Sequence, residues 1–206
     1  MSGVMYKLKS DPDTEQTSMS RLTVVADGIW SGMRKHLSDA TVKTISTFVG
    51  VILDHPAHET PLPHPYHGHA ILADPSLCLL YQISSTETRI LVDVIGKLPS
   101  TFTGALQAYL CDKVMPQLPE NLRSYFLKAV MEKAIKSMPS KYFPAKPPAL
   151  RGALMIGDAL NMRNPLTGGG MTVAIRDAET LAQCLADVDV AGDSYEYIEQ
   201  QYAAFL

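Results

Sequence analysis

The sequence predicts an α/β fold, Rossmann-like at its two ends and interrupted by an inserted mixed β-sheet. Three observations predict it. An apolar run without alternation, Ala153-Leu154-Met155-Ile156, ends in Gly157-Asp158 and leads through a glycine-rich loop into a helical pattern from Met171. Such a run fits a strand buried on both faces. A second unit of the same grammar lies far upstream, where Leu22 to Ala26 is β-rich and ends in Asp27-Gly28. Between the two units lie short β-rich segments separated by turn residues.

Taken from the N-terminus, Val4 to Lys9 and Leu22 to Ala26 read as strands, with the polar stretch SDPDTEQTSMS as a turn between them. Ile29, Met33 and Leu37 recur at helical spacing after Asp27-Gly28, with Arg34, Lys35 and His36 beyond the turn. Phe48 to Leu53, His69 to Leu72, Leu77 to Ile83 and Thr88 to Val94 read as strands, the last two forming a hairpin across Ser84 to Glu87. Phe102 to Met115 reads as a helix stopped by Pro116, and an amphipathic helix follows Pro119 through Leu122, Phe126, Ala129 and Val130. Ser137 to Pro148, rich in proline, reads as an extended connection back to the central strand. From Met171, the residues Val173, Ala174, Ala178, Leu181, Ala182 and Leu185 form one helical stripe. Tyr195 to Leu206 reads as a further helix.

Composition narrows the function classes. The chain has 206 residues, enough for a sizeable core, with 46% hydrophobic and 19% charged residues as in globular proteins. A net charge of −3 and no basic block argue against nucleic acid as a partner. Cys78, Cys111 and Cys184 are odd in number and scattered, which points to a reducing compartment without a disulfide framework. No stretch approaches the ~18 consecutive apolar residues of a spanning helix, and the N-terminus lacks a signal-peptide core.

The chemistry concentrates in the loop from Gly157 to Met171. Asp158 sits at the C-terminal end of a strand, where open α/β sheets bind ligands. An ionised carboxylate only accepts hydrogen bonds, so it suits a polyol such as ribose or ribitol. Asn164-Pro165 and Gly168-Gly169-Gly170 then deliver the chain to a helix start. Adjacent glycines let backbone N–H groups approach a ligand closely, at the positive end of the helix dipole. Hydroxyls at one end and a group that becomes negative at the other describe a flavin, with its ribityl chain and its N1–C2=O edge. The competing reading is a glycine-rich helix cap after an ordinary strand.

GDALNMRNPLTGGGMTVAIRD closely resembles the GDA-x-NMRHPLTGGGMTVA signature of squalene monooxygenases (squalene epoxidases), which are FAD-dependent. Asn164 stands where that signature has His. The resemblance extends over VVADGIWSGMRKHL, LLYQISSTETRILVDV and SMPSKYFPAKPP, nearly the whole chain. It implies a partial FAD-binding domain of the flavoprotein hydroxylase type at residues 1–45 and 145–206, and a substrate-side sheet with helices at 46–144. It implies FAD as cofactor, held by Asp158, Met171, Gly168, Gly169, Gly170 and Pro165, with Asp27 and Gly28 near the phosphates as in the DG motif of flavoprotein hydroxylases. Leu160, Met162 and Leu166 would border the substrate.

In that family no protein side chain transfers the oxygen. A C4a-hydroperoxide of the reduced flavin gives its distal oxygen to squalene, forming 2,3-epoxysqualene in sterol biosynthesis. O2 is the co-substrate, electrons come from a separate NADPH-dependent reductase, and the proteins associate with the endoplasmic reticulum membrane. No GxGxxG precedes the first unit, so the turn that would hold the ADP half of FAD is expected to be missing, as in a fragment. Two alternatives stay open: a truncated, non-catalytic fragment, and another flavin-dependent hydroxylase. All six histidines lie between His36 and His69, five of them in HPAHETPLPHPYHGH. With no HExxH and so many prolines, this reads as a surface loop rather than a metal site.

Overall fold

A computed structural model describes residues 2–146, 148–193, 196, 197, 200 and 201. The chain forms two compact units, one from Met1–Lys43 with Tyr142–Leu206, the other from Thr44–Lys141.

The first unit opens with a hairpin, β1 (Gly3–Leu8) and β2 (Asp11–Met19), paired antiparallel from Gly3 with Met19 to Lys7 with Glu15. The stretch expected to be a turn is therefore mostly strand. Most of its side chains are exposed, so no alternation marks it in the sequence. The backbone of β1 still needs a hydrogen-bonding partner, and the opposed charges of Lys7 and Glu15 favour this register. Next come β3 (Thr23–Val25), a 3-10 turn at Gly28–Trp30 and the one-turn helix α1 (Arg34–Leu37). The longer helix suggested by Ile29, Met33 and Leu37 does not form, because Ser31 is extended at ψ 116°.

The second unit is built on a five-stranded sheet. Its strands are β4 (Lys43–Asp54), β5 (His69–Ile71), β6 (Cys78–Gln82), β7 (Glu87–Ile95) and β8 (Lys136–Tyr142), in the order β5-β6-β7-β4-β8. Within it β4, β5, β6 and β7 pair antiparallel. The β6–β7 hairpin crosses Ser84 to Glu87 as the sequence suggests. The first part of the proline-rich connection, through Tyr142, belongs to β8 rather than to an unpaired link. Pro139 is tolerated there because β8 is an edge strand and one side needs no N–H donors.

Two helical segments cover one face of this sheet: α2 (Ala105–Tyr109), continued by a wider π-helical turn at Leu110–Val114, and α3 (Glu120–Glu132). Leu106, Leu110 and Val114 recur every fourth residue and are all buried. A strict α-helix of 3.6 residues per turn would rotate that stripe off the core, and widening the turn keeps it facing inward. They pack with Leu122, Phe126 and Val130 onto Val49, Val51, Leu80, Ile90 and Val92. The opposite face follows from register. Phe48 pairs with Asp93, Gly50 with Leu91 and Ile52 with Arg89, and these residues share the side away from the core.

The chain returns to the first unit through β9 (Ala153–Met155), which pairs in parallel with β3, Thr23 against Ala153 and Val25 against Met155. All three β9 residues are buried, consistent with the unalternating run. Short 3-10 turns at Gly157–Ala159 and Pro165–Thr167 lead to α4 (Gly170–Cys184). Val25, Leu37, Ala153, Met155, Ala159 and Leu160 form one small core, and Leu154 with Leu181 another. The helix read from Tyr195 to Leu206 falls largely outside the described residues.

Candidate functional site: two turns at one sheet edge

The parallel register of β3 and β9 puts Asp27-Gly28 and Gly157-Asp158 just past the carboxyl ends of neighbouring strands, both at the same edge. That is where an open α/β sheet leaves a crevice. A cavity of about 400 Å³ lies there, lined by Ala26, Gly28, Ile156, Gly157, Asp158, Gly170, Met171 and Ala174. Four of the residues singled out from the sequence, Gly28, Asp158, Gly170 and Met171, thus line one cavity. Pro165, Gly168 and Gly169 lie on the loop leading to it, and Asp27 turns back to accept a hydrogen bond from the Gly32 amide at 3.1 Å.

The two turns are tied together by Arg34. Its Nη2 donates to the carbonyls of Gly28 (2.8 Å) and Asp158 (2.7 Å), Nε to Ala159 (3.1 Å) and Nη1 to Ile29 (3.2 Å). Its guanidinium lies over the Phe143 ring, 5.0 Å from the centroid. Burial pulls the Arg34 pKa below its ordinary value, while the Asp27 and Asp158 carboxylates push it back up. An arginine stays charged under any such shift, so a buried cation stands behind the cavity. In the sequence Arg34 is one of three consecutive basic residues beyond the turn. The structure buries it.

The Asp158 carboxylate itself accepts no hydrogen bond among the described residues. On the other side, α4 begins at Gly170, and the N–H groups of its first turn have no partners within the helix. Glycine at 169 and 170 is not demanded by the protein's own packing. A Cβ at Gly169 would meet only Thr167 Oγ1, at an ordinary 3.5 Å, and one at Gly170 nothing within 4 Å. Gly168 is different, its φ of +62° favouring glycine. A carboxylate that accepts no hydrogen bond, in one cavity with a helix start that has no side chains at 169 and 170, fits a ligand with donors at one end and an electronegative edge at the other. These residues therefore fit the polyol chain and ring edge of a flavin.

Leu160 and Met162 are buried. Both line a second cavity of about 350 Å³ with Phe143, Asn161, Arg163 and Asp177 rather than the first, and Leu166 is half-buried on the loop. Asn164 caps the turn after it, its side chain accepting from the Leu166 amide at 3.0 Å. In the other unit, a cavity of about 490 Å³ lies on the open face of the sheet, with Phe48, Ile52, Leu91 and Met138 as its apolar wall and Tyr81 and Arg89 as its polar one. Arg89 Nη1 donates to the Tyr81 hydroxyl at 3.2 Å.

The histidine-rich segment splits by environment. His55 is buried, bonded to Thr88 Oγ1 and the Pro56 carbonyl. His64 stacks on His69 with ring centroids 6.2 Å apart. Among the described residues, no three His, Cys, Asp or Glu side chains are grouped to hold a metal ion, and no helix is long and apolar enough to cross a membrane. Asp177 and Ala174 both meet Gly157, Ala174 being singled out in the sequence only for the α4 stripe and Asp177 not at all. Their signal was spacing, since Gly170, Ala174 and Asp177 share a helix face.

Comparison with known proteins bears on the same elements. Among solved structures, a flavin-dependent brominase superposes with a TM-score of 0.72 at 17% identity, covering 99% of this chain and 50% of that one. Klebsiella pneumoniae HpxO complexed with FAD and uric acid superposes with a TM-score of 0.69 at 16% identity, covering 98% and 51%. These establish the α/β fold shared with such proteins. In sequence, the chain is 45% identical to squalene epoxidase 1 of Arabidopsis thaliana, covering 98% of this chain and 38% of the relative. It is 42% identical to squalene monooxygenase of Mus musculus, covering 90% and 31%. The chain thus spans about a third of the length of these relatives. The sequence model of the family described as squalene epoxidase matches residues 19–205, and the chain belongs to that family.

Proposed function

We propose that this chain is the flavin-ring and substrate portion of an FAD-dependent monooxygenase that epoxidises squalene to 2,3-epoxysqualene with O2. The observation that carries the reading is the Asp158 carboxylate, which accepts no hydrogen bond among the described residues, in one cavity with a helix start that has no side chains at 169 and 170. Asp158 would accept from the ribityl hydroxyls. The N–H groups from Gly170 and Met171 onward would stabilise negative charge on the ring edge, without reorganising as it develops. Asp27, Gly28, Pro165, Gly168 and Gly169 shape the approach. FAD, when bound, supplies the oxygen activation, and the protein binds, orients and keeps water away.

The wall of Phe48, Ile52, Leu91 and Met138 suits a long hydrocarbon. Within the first unit, Leu160 and Met162 at its second cavity and Leu166 on the loop are the apolar residues that would meet substrate. By the same reading, electrons arrive from a separate NADPH-dependent reductase, and the whole protein works at the endoplasmic reticulum membrane.

A chimera tests this. The matching segment of Arabidopsis thaliana squalene epoxidase 1 is replaced by this chain and assayed with squalene, FAD and a reductase. Formation of 2,3-epoxysqualene is expected. A folded chimera that retains FAD but makes no epoxide would overturn the substrate assignment, and one that folds without taking up FAD would overturn the cofactor assignment.

A further inference from the structure

Gly157 turns the chain out of β9 in the left-handed region, at φ +57°. Its buried amide is met by a side chain from α4: Gly157 N donates to Asp177 Oδ2 at 2.8 Å. We infer that Asp177 is a positioning residue for the flavin site, locking the Gly157 turn to α4 so that Asp158 and the helix start face one ligand at a fixed separation. The inference deepens the flavin reading above and rests on it.

Gly170, Ala174 and Asp177 stand at i, i+4 and i+7 and share one face of α4. From the helix start inward, that face gives the cavity wall, the contact against the turn and the acceptor. Ala174 Cβ lies 3.2 Å from where a Gly157 Cβ would sit, so helix and turn are in close contact. Glycine is also the residue most free to rotate. Without Asp177 the turn keeps the Ala174 contact and the Arg34 hold on the Asp158 carbonyl, but the Gly157 amide loses its side-chain acceptor and the turn beside Asp158 is freer to rotate. Asp177 also lines the second cavity, so its charge is not fully desolvated, and a carboxylate is a stronger acceptor for an N–H than a neutral group.

The test uses the chain itself, with amide exchange at Gly157 followed by NMR and FAD titrated to millimolar concentration. In Asp177→Ala, Gly157 exchange is expected to accelerate about ten- to a hundredfold and FAD affinity to fall about tenfold, as for loss of one charge-assisted hydrogen bond. Asp177→Asn, whose amide oxygen still accepts, is expected to restore most of both. Asp158→Ala should leave Gly157 protected while weakening FAD. A Gly157 amide that stays protected in Asp177→Ala overturns the proposal. So does an Asp177→Ala affinity equal to the parent's while Asp158→Ala loses FAD. If FAD shifts no resonance at Gly157 or Asp158 in the parent, the flavin reading itself fails, and the positioning role with it, even where Asp177→Ala releases the amide.

Discussion

Arg34 Nη2 lies 2.7 Å from the Asp158 carbonyl, so a side chain from the first strand–turn unit holds the backbone of the last. The same guanidinium serves the carbonyls of Gly28, Ile29 and Ala159. Arg34→Ala would strand these acceptors in a region where Arg34 itself is only 7% exposed. Unsatisfied buried acceptors cost about 1–3 kcal/mol each, and some will recover water, so a net loss on the order of 3 kcal/mol is expected. Arg34→Lys keeps the charge but not the planar fork and should recover less than half of that loss. Urea unfolding of the three proteins checks it, and equal midpoints would show that the clamp is not holding the turns.

Gly157 and Gly169 look alike in the sequence but carry different constraints. Gly157→Ala forces a Cβ into the left-handed region and to within 3.2 Å of Ala174, at about 2–3 kcal/mol in all. Gly169→Val meets neither problem, since φ is −84° and the space is open, so only about 1 kcal/mol of capping preference is lost. Melting temperature should therefore fall for Gly157→Ala and scarcely for Gly169→Val, while Gly169→Val should lose flavin. A Gly169→Val variant that binds FAD like the parent would remove the close-approach argument.

What could be read from the sequence was whatever burial writes into it. The run from Ala153 to Ile156, the β6–β7 hairpin and the stripe of α4 carry their environment as hydrophobic periodicity, and all three form where expected. β2 and β8 were misread because their formation rests on backbone hydrogen bonds at exposed or edge positions, which leave no apolar pattern. In the candidate site, Asp158 and the glycines were legible as residue types with no ordinary structural use. Asp177 was not, because a charged residue in a helix reads as solvated until its partner 20 residues away is placed beside it. The Arg34 clamp is hidden for the same reason, since its acceptors are carbonyls, which every residue has.

Cys78 gives a pH-dependent handle. It is fully buried, and burial pushes its thiol up to about 12 from an ordinary 9.0. Burial raises Cys111 as well, with the Asp112 charge adding to it. The folded chain therefore holds a proton that the unfolded chain releases above pH 9. This contribution is fully present below pH 9 and is lost as pH rises from 9 toward 12, at about 1.4 kcal/mol per unit for one group. Cys78→Ala should flatten the alkaline fall in denaturant stability. Alkylation at pH 8, followed by mass spectrometry, should label Cys78 last and only as the chain unfolds. Early labelling of Cys78 would mean that the core of the five-stranded sheet opens without global unfolding.

Asp158 separates ligand binding from stability most cleanly. Its backbone carbonyl is used by Arg34, but among the described residues its carboxylate has no hydrogen-bonding partner. Asp158→Ala keeps the carbonyl that Arg34 holds and removes a carboxylate whose charge favours the Arg34 cation but which accepts no hydrogen bond, so the clamp survives and unfolding free energy should fall by no more than about 1 kcal/mol. Flavin affinity should behave differently. A ribityl hydroxyl donating to a carboxylate makes a charge-assisted bond, and its loss costs about 1.5–3 kcal/mol, or about ten- to a hundredfold in Kd. Asp158→Asn retains an acceptor without the charge and should fall between the two. Flavin fluorescence titration and thermal melts on the same preparations make the comparison. Were Asp158→Ala to melt lower while binding FAD as tightly as the parent, the carboxylate would be a structural group and the cavity at this sheet edge would not be the flavin site.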